Sequence, residues 1–370
     1  MENGLETLKV SSKKIALAHD FFSVWGGAER VFRVMTDMYP EAPIYTLFYD
    51  RQLVQKYFPD CTFHASFLQY WPKWLRESGF GKLFYPVAVE TLDLREFDTV
   101  LSSSGAWMKG LVTRLHTRHI AYLHSPMRYV WDTFHSHPEL RSGFRFFQRL
   151  TLSYFRLWDK EAADRPDVLL VNSEYTRARV LKYYRRESTV VYPPTSFSVE
   201  KILPPHERKS FLMVSRLTAS KHIEVVIEAF NKLKLPLTIV GTGPMEKSLR
   251  RIAERHICLL GEVDDVKLRE LYATSQALIQ ASEEDFGLVT LEALACGTPV
   301  IVYDQGAVRE IVEPGRTGEF FQDLIPEAIA DGVRKFLEHE TQYDRAYMRS
   351  AIANFSRSRF EQKIRQSVNE

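Results

Sequence analysis

The chain alternates short apolar runs typical of β-strands with amphipathic segments typical of helices, and this alternation most constrains its fold. Strands that alternate with helices build parallel sheets, because each helix returns the chain across one face of the sheet. The pattern predicts an α/β protein with two doubly wound, Rossmann-like domains that face each other across a cleft. The predicted strands are 13–21, 43–47, 97–102, 120–123, 167–173 and 189–192 in the first half, and 211–217, 236–240, 257–260, 277–279 and 299–303 in the second.

A stretch rich in proline and charge separates the two series of elements. It has no hydrophobic period, which is typical of a connection between domains. A length of 370 residues also fits two domains of roughly 150 residues each. We therefore expect an N-terminal domain at 1–195, a linker at 196–208 and a C-terminal domain at 209–354.

Composition narrows the class of protein. The chain is 45% hydrophobic and 26% charged, as ordinary soluble globular proteins are. We expect no signal peptide, because the N-terminus lacks an apolar core, and no apolar run reaches the roughly 18–20 residues that span a bilayer. Cys61, Cys258 and Cys296 are far apart and show no ligand spacing, so we interpret them as reduced core thiols of a cytoplasmic protein. A nucleic-acid partner has little support, because the basic residues are dispersed and the pI is about 8.3.

Two segments combine aromatic and basic residues. The first, 62–87, interleaves Lys73, Arg76 and Lys82 with aromatic side chains, and the second, 141–158, repeats arginine at helical spacing. Such segments suit a membrane interface or a lipid-linked acceptor. They equally fit a pair of helices packed on the core and a solvated basic face of a buried helix, so these alternatives remain open.

The stretch 281–300, ASEEDFGLVTLEALACGTPV, follows a strand end and passes through an acidic turn into an amphipathic helix. The first backbone N–H groups of a helix are unpaired and its dipole is positive there, so this arrangement favours an anion. Glu284 lies in the turn and Glu292 eight residues later, inside the helix. Glu292 is then expected within reach of a ribose diol, and Glu284 near the group that is attached to the phosphates.

Other residues fit a phosphate site at strand ends. Arg216 and Lys221 follow a strand and suit a diphosphate, although each could be an ordinary surface charge. Gly26 and Gly27 precede a helix, where backbone can approach a phosphate, and a tight turn is the alternative. His124 ends a predicted strand, where open α/β sheets place ligands.

Together these segments resemble the retaining nucleotide-sugar glycosyltransferases of GT-B fold, family 4. The resemblance covers nearly the whole chain, and the two glutamates with Phe-Gly between them are its most specific part. WD at 158–159, NS at 172–173 and YPP at 192–194 resemble the mannosyltransferase-like branch that builds bacterial surface polysaccharides. The matching motifs are WGGAER, LHSPMRYVW, VNSEYTRARV, VVYPP, SRLTASKHIEVVIEAF, VGTGP, LGEVDD, EEDFGLVTLEALACGTPVI and PGRTG.

The resemblance implies a role for each matching residue. Gly26 and Gly27 approach the donor pyrophosphate, and His124 positions the transferred sugar. Arg216 and Lys221 neutralise the diphosphate leaving group. The remaining donor-binding residues are Glu262 and Val263 beside the base, Glu284 on sugar hydroxyls, Phe286, Gly287, Leu288 and Val289 with their backbone N–H groups, and Glu292 on the ribose.

The sequence departs from the family pattern at two positions. Asp285 replaces the usual glycine between glutamate and phenylalanine, and Gln305 stands where a Gly-Gly pair normally begins before Glu310. Asp285 adds a negative charge beside the expected sugar pocket. We expect it to be the first place to look for donor preference.

The implied reaction is hexosyl transfer with retention of the anomer, by front-face attack, without a metal or other cofactor. The expected donor is GDP-mannose, with UDP-glucose or UDP-GlcNAc as the alternative. The expected acceptor is a saccharide linked to polyprenyl diphosphate, reached by an enzyme peripheral to the inner face of the cell membrane. By the same resemblance, a C-terminal helix at 355–370 crosses back to the first domain; a frayed tail is the alternative.

The sequence disfavours two other classes of protein. A nicotinamide-dependent oxidoreductase is disfavoured, because Gly241 and Gly243 follow a strand without a third glycine at the required offset. A non-catalytic sugar-nucleotide-binding module is disfavoured by the presence of His124, both basic residues and both glutamates.

Overall fold

A computed structural model describes residues 13–132, 145–195, 197 and 207–370. The chain forms two compact units, and the expected linker at 196–208 lies mostly outside the described residues. Among those described, no helix combines the length and apolar character needed to cross a bilayer. The first unit holds Met1–Val171, Arg177–Val190 and Lys363–Glu370, and the second holds Asn172–Thr176 and Val191–Gln362.

The first unit is built on a seven-stranded, entirely parallel sheet in the order β3-β2-β1-β4-β5-β6-β7. Its central strands are buried on both faces, which is why their sequences are nearly continuous runs of apolar and small residues. The strands are β1 (Ile15–His19), β2 (Ile44–Thr46), β3 (Phe63–Ala65), β4 (Thr99–Ser104), β5 (Arg118–Leu123), β6 (Val168–Val171) and β7 (Thr189–Val190).

The second unit repeats this plan with six parallel strands in the order β10-β9-β8-β11-β12-β13. Both orders match the doubly wound Rossmann arrangement, so the predicted fold class is confirmed. The strands are β8 (Ser210–Val214), β9 (Leu237–Val240), β10 (Ile257–Gly261), β11 (Ser275–Gln280), β12 (Val300–Tyr303) and β13 (Gly318–Phe321).

Helices cover the sheets of both units. The last helix begins in the second unit and ends in the first, where Lys363 Nζ donates to the Val190 carbonyl at 2.9 Å. The helices are α1 (Gly27–Met38), α2 (Arg51–Tyr57), α3 (Lys73–Arg76), α4 (Gly79–Lys82), α5 (Tyr85–Glu90), α6 (Arg128–Trp131), α7 (Arg145–Ala163), α8 (Glu174–Tyr184), α9 (Ile223–Leu233), α10 (Glu246–Ile252), α11 (Asp265–Thr274), α12 (Leu288–Ala295), α13 (Pro326–Glu338), α14 (Arg345–Ala351) and α15 (Arg357–Asn369).

Helix α9 shows how the sequence pattern becomes packing. Ile223, Val226, Ile227 and Phe230 recur at helical spacing and are fully buried. Burying each such side chain stabilises the fold by about 1.5–3 kcal/mol. The ring of Phe230 packs edge-on against Phe211 of β8, with 5.2 Å between ring centroids, and so fixes the helix on the sheet.

The structure differs from the sequence predictions in several places. Segment 62–87 forms strand β3 and then a 3-10 turn and the short helices α3 and α4, and some of its aromatic side chains pack on the core of the first unit. The sequence pattern also predicts a helix at 308–312 and a turn at 313–318. The helix is instead a 3-10 turn, Ala307–Glu310, and the turn runs into an edge strand, β13, that the pattern does not predict. Strand β13 has only four residues, which is too short for a clear hydrophobic pattern.

The cysteine interpretation is wrong for one of the three thiols. Cys296 is buried and Cys61 partly buried, but Cys258 is exposed because it alternates outward along edge strand β10. Burial, with a smaller contribution from Glu292, raises the pKa of Cys296 to about 12. Cys296 therefore behaves as a core residue and Cys258 does not.

Candidate functional site

Each sheet has one position where the strand order reverses, between β1 and β4 in the first unit and between β8 and β11 in the second. In doubly wound sheets, ligands bind outside the carboxyl ends of the strands at this switch point. The residues just beyond these four strands therefore define a candidate site in each unit.

Asp20 organises the switch point of the first unit. It follows β1 and is only 6% exposed. A buried carboxylate must be hydrogen-bonded, and here the partners are backbone N–H groups of the loop after β4. Its oxygens accept hydrogen bonds from Ser104 Oγ (3.1 Å) and from the backbone nitrogens of Gly105 (2.8 Å), Ala106 (2.7 Å), Trp107 (2.9 Å) and Met108 (2.7 Å).

His124 lies one residue beyond β5 and joins the same switch point through Ser103. The Ser103 hydroxyl lies 2.8 Å from His124 Nε2 and 3.0 Å from Nδ1 of His19, the last residue of β1. His19 Nε2 is in turn 3.5 Å from Glu29 Oε1. The structure therefore brings the predicted His124 into a hydrogen-bonded chain whose other members were not predicted.

The glycine pair lies at the start of helix α1. Gly26 is the residue before the helix, and its N–H donates to Glu29 Oε2 at 2.9 Å, while Gly27 begins the helix. A Cβ on Gly26 would stand 3.1 Å from that carboxylate oxygen, so a side chain there would crowd Glu29. The N–H of Gly26 is thus engaged within the protein.

In the second unit the predicted residues Lys221 and Glu284 contact each other directly. Lys221 Nζ pairs with Glu284 Oε1, and Ser282 Oγ donates to the same oxygen at 2.7 Å. The two charged side chains are 27% and 25% exposed. A half-buried ion pair at a switch point can exchange partners with an anionic ligand at modest cost, because water reaches both groups.

The turn that carries Glu284 is fixed through its backbone. Ala307 N donates to the Glu284 carbonyl at 2.9 Å, and Gly306 pairs alongside Glu284 with φ of 83°. A Cβ on Gly306 would lie 2.3 Å from the Glu284 carbonyl oxygen. Asp285 is held by its carbonyl, which accepts from Ser173 Oγ at 2.5 Å.

Gly306 also explains one of the two departures from the family pattern. The pattern has a glycine pair where this chain has Gln305 and Gly306. Only Gly306 adopts a left-handed conformation and meets the backbone of Glu284. A single glycine therefore satisfies the contact, and Gln305 needs no special conformation.

Phe286 and Gly287 lead into helix α12. Phe286 is buried against the rings of Tyr192 and Phe355, and Gly287 stands before the helix with φ of 98°. A left-handed residue here lets the chain turn sharply from the buried ring into the helix. The first-turn N–H groups of Leu288 and Val289 lie at this helix start.

Glu292 occupies a different environment from Glu284. It is only 6% exposed and accepts a hydrogen bond from the hydroxyl of Tyr272 at 2.9 Å. Tyr272 belongs to α11 and is itself fully buried. The two glutamates therefore have different partners, and Glu292 is the more deeply buried of the two.

The remaining predicted residues are surface residues at strand ends. Arg216 is exposed two residues beyond β8. Glu262 is exposed and Val263 partly buried just after β10. Sequence reasoning missed Asp20, Glu29, Ser103, Ser282 and Gly306; polar residues at the carboxyl end of a predicted strand were the signal for Asp20, Ser103 and Ser282.

Part of the second unit is similar to a known protein family. Residues 195–354, which contain the predicted site residues of the second unit, match the family model Glycosyl transferases group 1. The solved structure of the Anabaena protein HepE in complex with UDP and glucose has a TM-score of 0.73; it is 17% identical, and the alignment covers 97% of this chain and 100% of that one. Structural neighbours of this fold are GT-B glycosyltransferases.

Relatives match over part of their length. An uncharacterized glycosyltransferase of Methanocaldococcus jannaschii is 36% identical over 141 residues, 35% of this chain and 36% of the relative. The GDP-mannose-dependent alpha-(1-6)-phosphatidylinositol monomannoside mannosyltransferase of Mycobacterium tuberculosis is 25% identical over 209 residues, 48% of this chain and 54% of the relative. The chain thus spans about a third to a half of these relatives.

Proposed function

We propose that this protein is a retaining glycosyltransferase that moves mannose from GDP-mannose to a lipid-linked saccharide acceptor. The observation that carries the proposal is the Lys221–Glu284 pair, which stands at the switch point of the unit that matches the family model. A cation and a carboxylate side by side suit a donor with an anionic diphosphate and a sugar rich in hydroxyl groups.

In this proposal the basic residues stabilise the leaving group. When the bond between the anomeric carbon and the β-phosphate oxygen breaks, its electron pair stays on that oxygen. Lys221 and Arg216 offset the developing negative charge, together with the N–H groups at the start of α12. The acceptor oxygen bonds to the same face of the sugar, and its proton passes to the leaving phosphate.

The glutamates bind the two ends of the donor. Lys221 turns from Glu284 toward the phosphates when the donor enters, which leaves Glu284 to accept hydrogen bonds from sugar hydroxyls. Glu292 accepts those of the ribose. Glu262 and Val263 border the base.

The central test replaces Glu284 by glutamine, which removes the charge and keeps the shape. We expect turnover to fall on the order of 10²–10³-fold, as for loss of one positioned polar group, while nucleoside diphosphate still binds within about threefold. Glu338→Gln, at an exposed position of the same unit, is the matched control. Full activity in Glu284→Gln would remove Glu284 from the mechanism.

The donor is tested by thermal shift and product analysis with GDP-mannose, UDP-glucose and UDP-GlcNAc. A ligand stabilises the folded state according to its affinity, so GDP-mannose should raise the melting temperature most. HepE, which is solved with UDP and glucose, favours a UDP-sugar as the second candidate. Tight donor binding with neither transfer nor hydrolysis would instead indicate a binding module.

Metal independence is a separate part of the proposal. If the cationic side chains and the helix start stabilise the diphosphate, EDTA should leave turnover unchanged. Loss of activity that Mg²⁺ restores would refute this part and leave the glycosyl transfer itself standing.

A surface of the first unit supports access to a lipid-linked acceptor. Tyr70 is 89% and Trp74 76% exposed, and Phe80 is exposed nearby in the same segment. Lys73 and Lys82 are interleaved with these rings. Exposed aromatic rings among cations are the composition of a membrane interface, and we propose that this segment rests on an anionic bilayer.

Sedimentation with phosphatidylglycerol vesicles tests this surface. Trp74→Ser should weaken binding several-fold. Leu115→Ser removes an apolar side chain of the same unit that is even more exposed, and it should not weaken binding. Equal effects of the two substitutions would contradict the membrane contact.

A further inference from the structure

The start of helix α8 is held by residues that are distant from it in sequence. Asn172–Thr176 belongs to the second unit, although the rest of α8 belongs to the first. We propose that Glu310 is a positioning residue: it fixes this segment against the turn 283–285, and the segment in turn fixes Glu284. The inference rests on the proposed function only for its effect on sugar transfer, because the coupling itself can be measured without any activity.

Glu310 binds the first turn of α8 through its carboxylate. Its Oε2 accepts the backbone N–H of Glu174 and its Oε1 accepts that of Tyr175, both at 2.9 Å. Such N–H groups have no partner within the helix, and the helix dipole is positive there, so a negative charge is favoured. Tyr192 adds its hydroxyl to Oε2 at 3.0 Å. One carboxylate therefore satisfies two N–H groups that the helix cannot satisfy by itself.

The same helical turn is bonded to the turn that carries Glu284. The hydroxyls of Ser173 and Thr176 donate to the carbonyl of Asp285, at 2.5 and 3.3 Å. Both side chains are fully buried, and the low local dielectric strengthens their hydrogen bonds. Asp285 follows Glu284 directly, so the start of α8 restrains the backbone next to that glutamate.

The 3-10 turn Ala307–Glu310 closes the arrangement. Its first residue donates its N–H to the Glu284 carbonyl at 2.9 Å, and its last residue is Glu310 itself. The turn 283–285, the start of α8 and the 3-10 turn therefore bond to one another in a triangle of segments. Such a triangle is stiffer than its single contacts, because no segment can shift without straining the other two. If Glu310 releases α8, the turn of Glu284 loses one of its two supports.

The position of this turn matters for the proposed transfer. Displacement of a positioned group by about 1 Å can cost on the order of 100-fold in rate. In the proposed reaction Glu284 binds the sugar, whereas Glu292 and the start of α12 bind the nucleotide and lie beyond the buried ring of Phe286. A loosened turn should therefore slow transfer and leave the affinity for the nucleoside diphosphate nearly unchanged.

Glu310→Gln keeps the shape of the side chain and removes its charge. The amide oxygen can accept one backbone N–H, but the NH₂ group then meets the other N–H donor to donor. We expect hydrogen exchange, measured by mass spectrometry, to become about tenfold faster in the peptide that contains Glu174 and Tyr175. Glu228→Gln, at an exposed position of the same unit, should leave the exchange unchanged.

Ser173→Ala tests whether the triangle transmits the effect. The substitution removes the hydrogen bond to the Asp285 carbonyl and none of the hydrogen bonds of the 3-10 turn. We nevertheless expect the peptide that contains Ala307, whose N–H is bonded to Glu284, to exchange about threefold faster. Ser248→Ala, at an exposed position of the same unit, should have no such effect.

Kinetics separate a positioning role from a purely structural one. We expect Glu310→Gln to lower kcat on the order of tenfold, with the Kd of the nucleoside diphosphate within about threefold. The number of nucleotide sites per chain, measured by calorimetry, should not change, whereas a partly unfolded protein would bind with reduced stoichiometry. Ser173→Ala acts on the same triangle, so adding it to Glu310→Gln should lower kcat little further.

Each outcome decides one part. Unchanged exchange of the Ala307 peptide in Ser173→Ala overturns the coupling. Unchanged kcat overturns the positioning role, and so do reduced nucleotide stoichiometry and additive effects of the two substitutions. If Glu310→Gln does not fold, Ser173→Ala carries both the exchange and the kinetic test. If the wild type transfers no sugar from any donor, the proposed function fails while the exchange comparison still decides the coupling.

Discussion

The two switch points have the same strand order, but different kinds of contact hold them together. In the first unit, side chains bond to side chains and to backbone N–H groups, and Asp20 and Ser103 are buried. In the second unit, Gly306 packs directly on the backbone of Glu284, and the charged pair stays about a quarter exposed. One sheet end is rigid through a polar network, and the other is rigid in its backbone with side chains that can exchange partners.

This difference indicates which substitutions should damage each unit. A buried network fails when one polar atom is changed, because each unpaired group then pays its full desolvation cost. A close backbone contact fails when a Cβ is added. Loss of a partly exposed ion pair should change the stability little, but it should weaken the binding of a ligand. All six tryptophans lie at or before Trp158, so tryptophan fluorescence reports on the first unit.

The largest effect is expected for Asp20→Asn. The amide replaces one acceptor oxygen by an NH₂ group that faces backbone N–H donors, and hydrogen bonds to a charged group contribute about 1.5–3 kcal/mol each. We expect the first unit to lose about 4 kcal/mol of unfolding free energy in urea titrations followed by tryptophan fluorescence. Asp60→Asn, at an exposed position, is the control. A loss below 1 kcal/mol, as an estimate of ordinary surface effects, would show that the loop does not depend on the carboxylate.

A slightly smaller effect is expected from pH. Burial, the largest cause, lowers the pKa of His119 to about 4, against an ordinary value of 6.5, while Ser102 Oγ lies 2.8 Å from its Nε2. The unfolded chain therefore binds the proton more readily, and the stability contribution of neutral His119 is present above pH 6.5 and lost as the pH falls to 4. At 1.36 kcal/mol per pKa unit, the loss is about 3 kcal/mol.

The pH prediction is checked against His119→Gln. Tryptophan-detected unfolding of the wild type should weaken more steeply between pH 6.5 and 4 than that of the variant. Parallel pH profiles would contradict a neutral, buried His119 as the source of the difference.

An intermediate effect is expected for Gly306→Ala. The left-handed φ and the contact with the Glu284 carbonyl together cost about 2 kcal/mol, which we expect to be relieved by displacement of the Glu284 turn. Donor turnover should fall on the order of 30-fold, while tryptophan-detected unfolding of the first unit stays unchanged. Gly315→Ala also adds a Cβ at a left-handed glycine of the second unit, but into open space, and is the matched control.

The smallest effect on stability is expected for Lys221→Gln. Partly exposed ion pairs contribute only about 0–1 kcal/mol, so the melting temperature should barely change. Donor affinity should nevertheless fall roughly tenfold, because a charge-assisted contact to the diphosphate is lost. Lys232→Gln breaks the more exposed Lys232–Glu327 pair and should change neither quantity. Unaltered affinity in Lys221→Gln would leave Lys221 as a structural partner of Glu284.

Much of the fold was predictable because buried parallel strands have continuous apolar sequences. Strand β5 falls where the pattern predicts a strand. Edge strands β3 and β13 were missed because sequences of three and four residues are too short for a clear hydrophobic pattern. The exposed Cys258 was misinterpreted although its strand was predicted, because the sequence does not show which face of edge strand β10 is covered.

The candidate site was predictable where it depends on residues near each other in sequence. Glu284, the helix start at Leu288 and Glu292 follow one another in a single strand–turn–helix unit. The pairing of Lys221 with Glu284 was not predictable as a contact, because it joins residues 63 positions apart.

What the sequence by itself determined is the alternation of elements, hence two parallel sheets whose strand ends carry polar residues. Only the tertiary structure decided which of those ends meet. His19, Ser103 and His124 belong to three different strands or strand ends, and they form one chain because β1, β4 and β5 are neighbours in the sheet. The sequence determines which residues stand at the end of each strand. The pairing of strands within the sheet, which is driven by burial of both sheet faces, determines which of those residues contact each other.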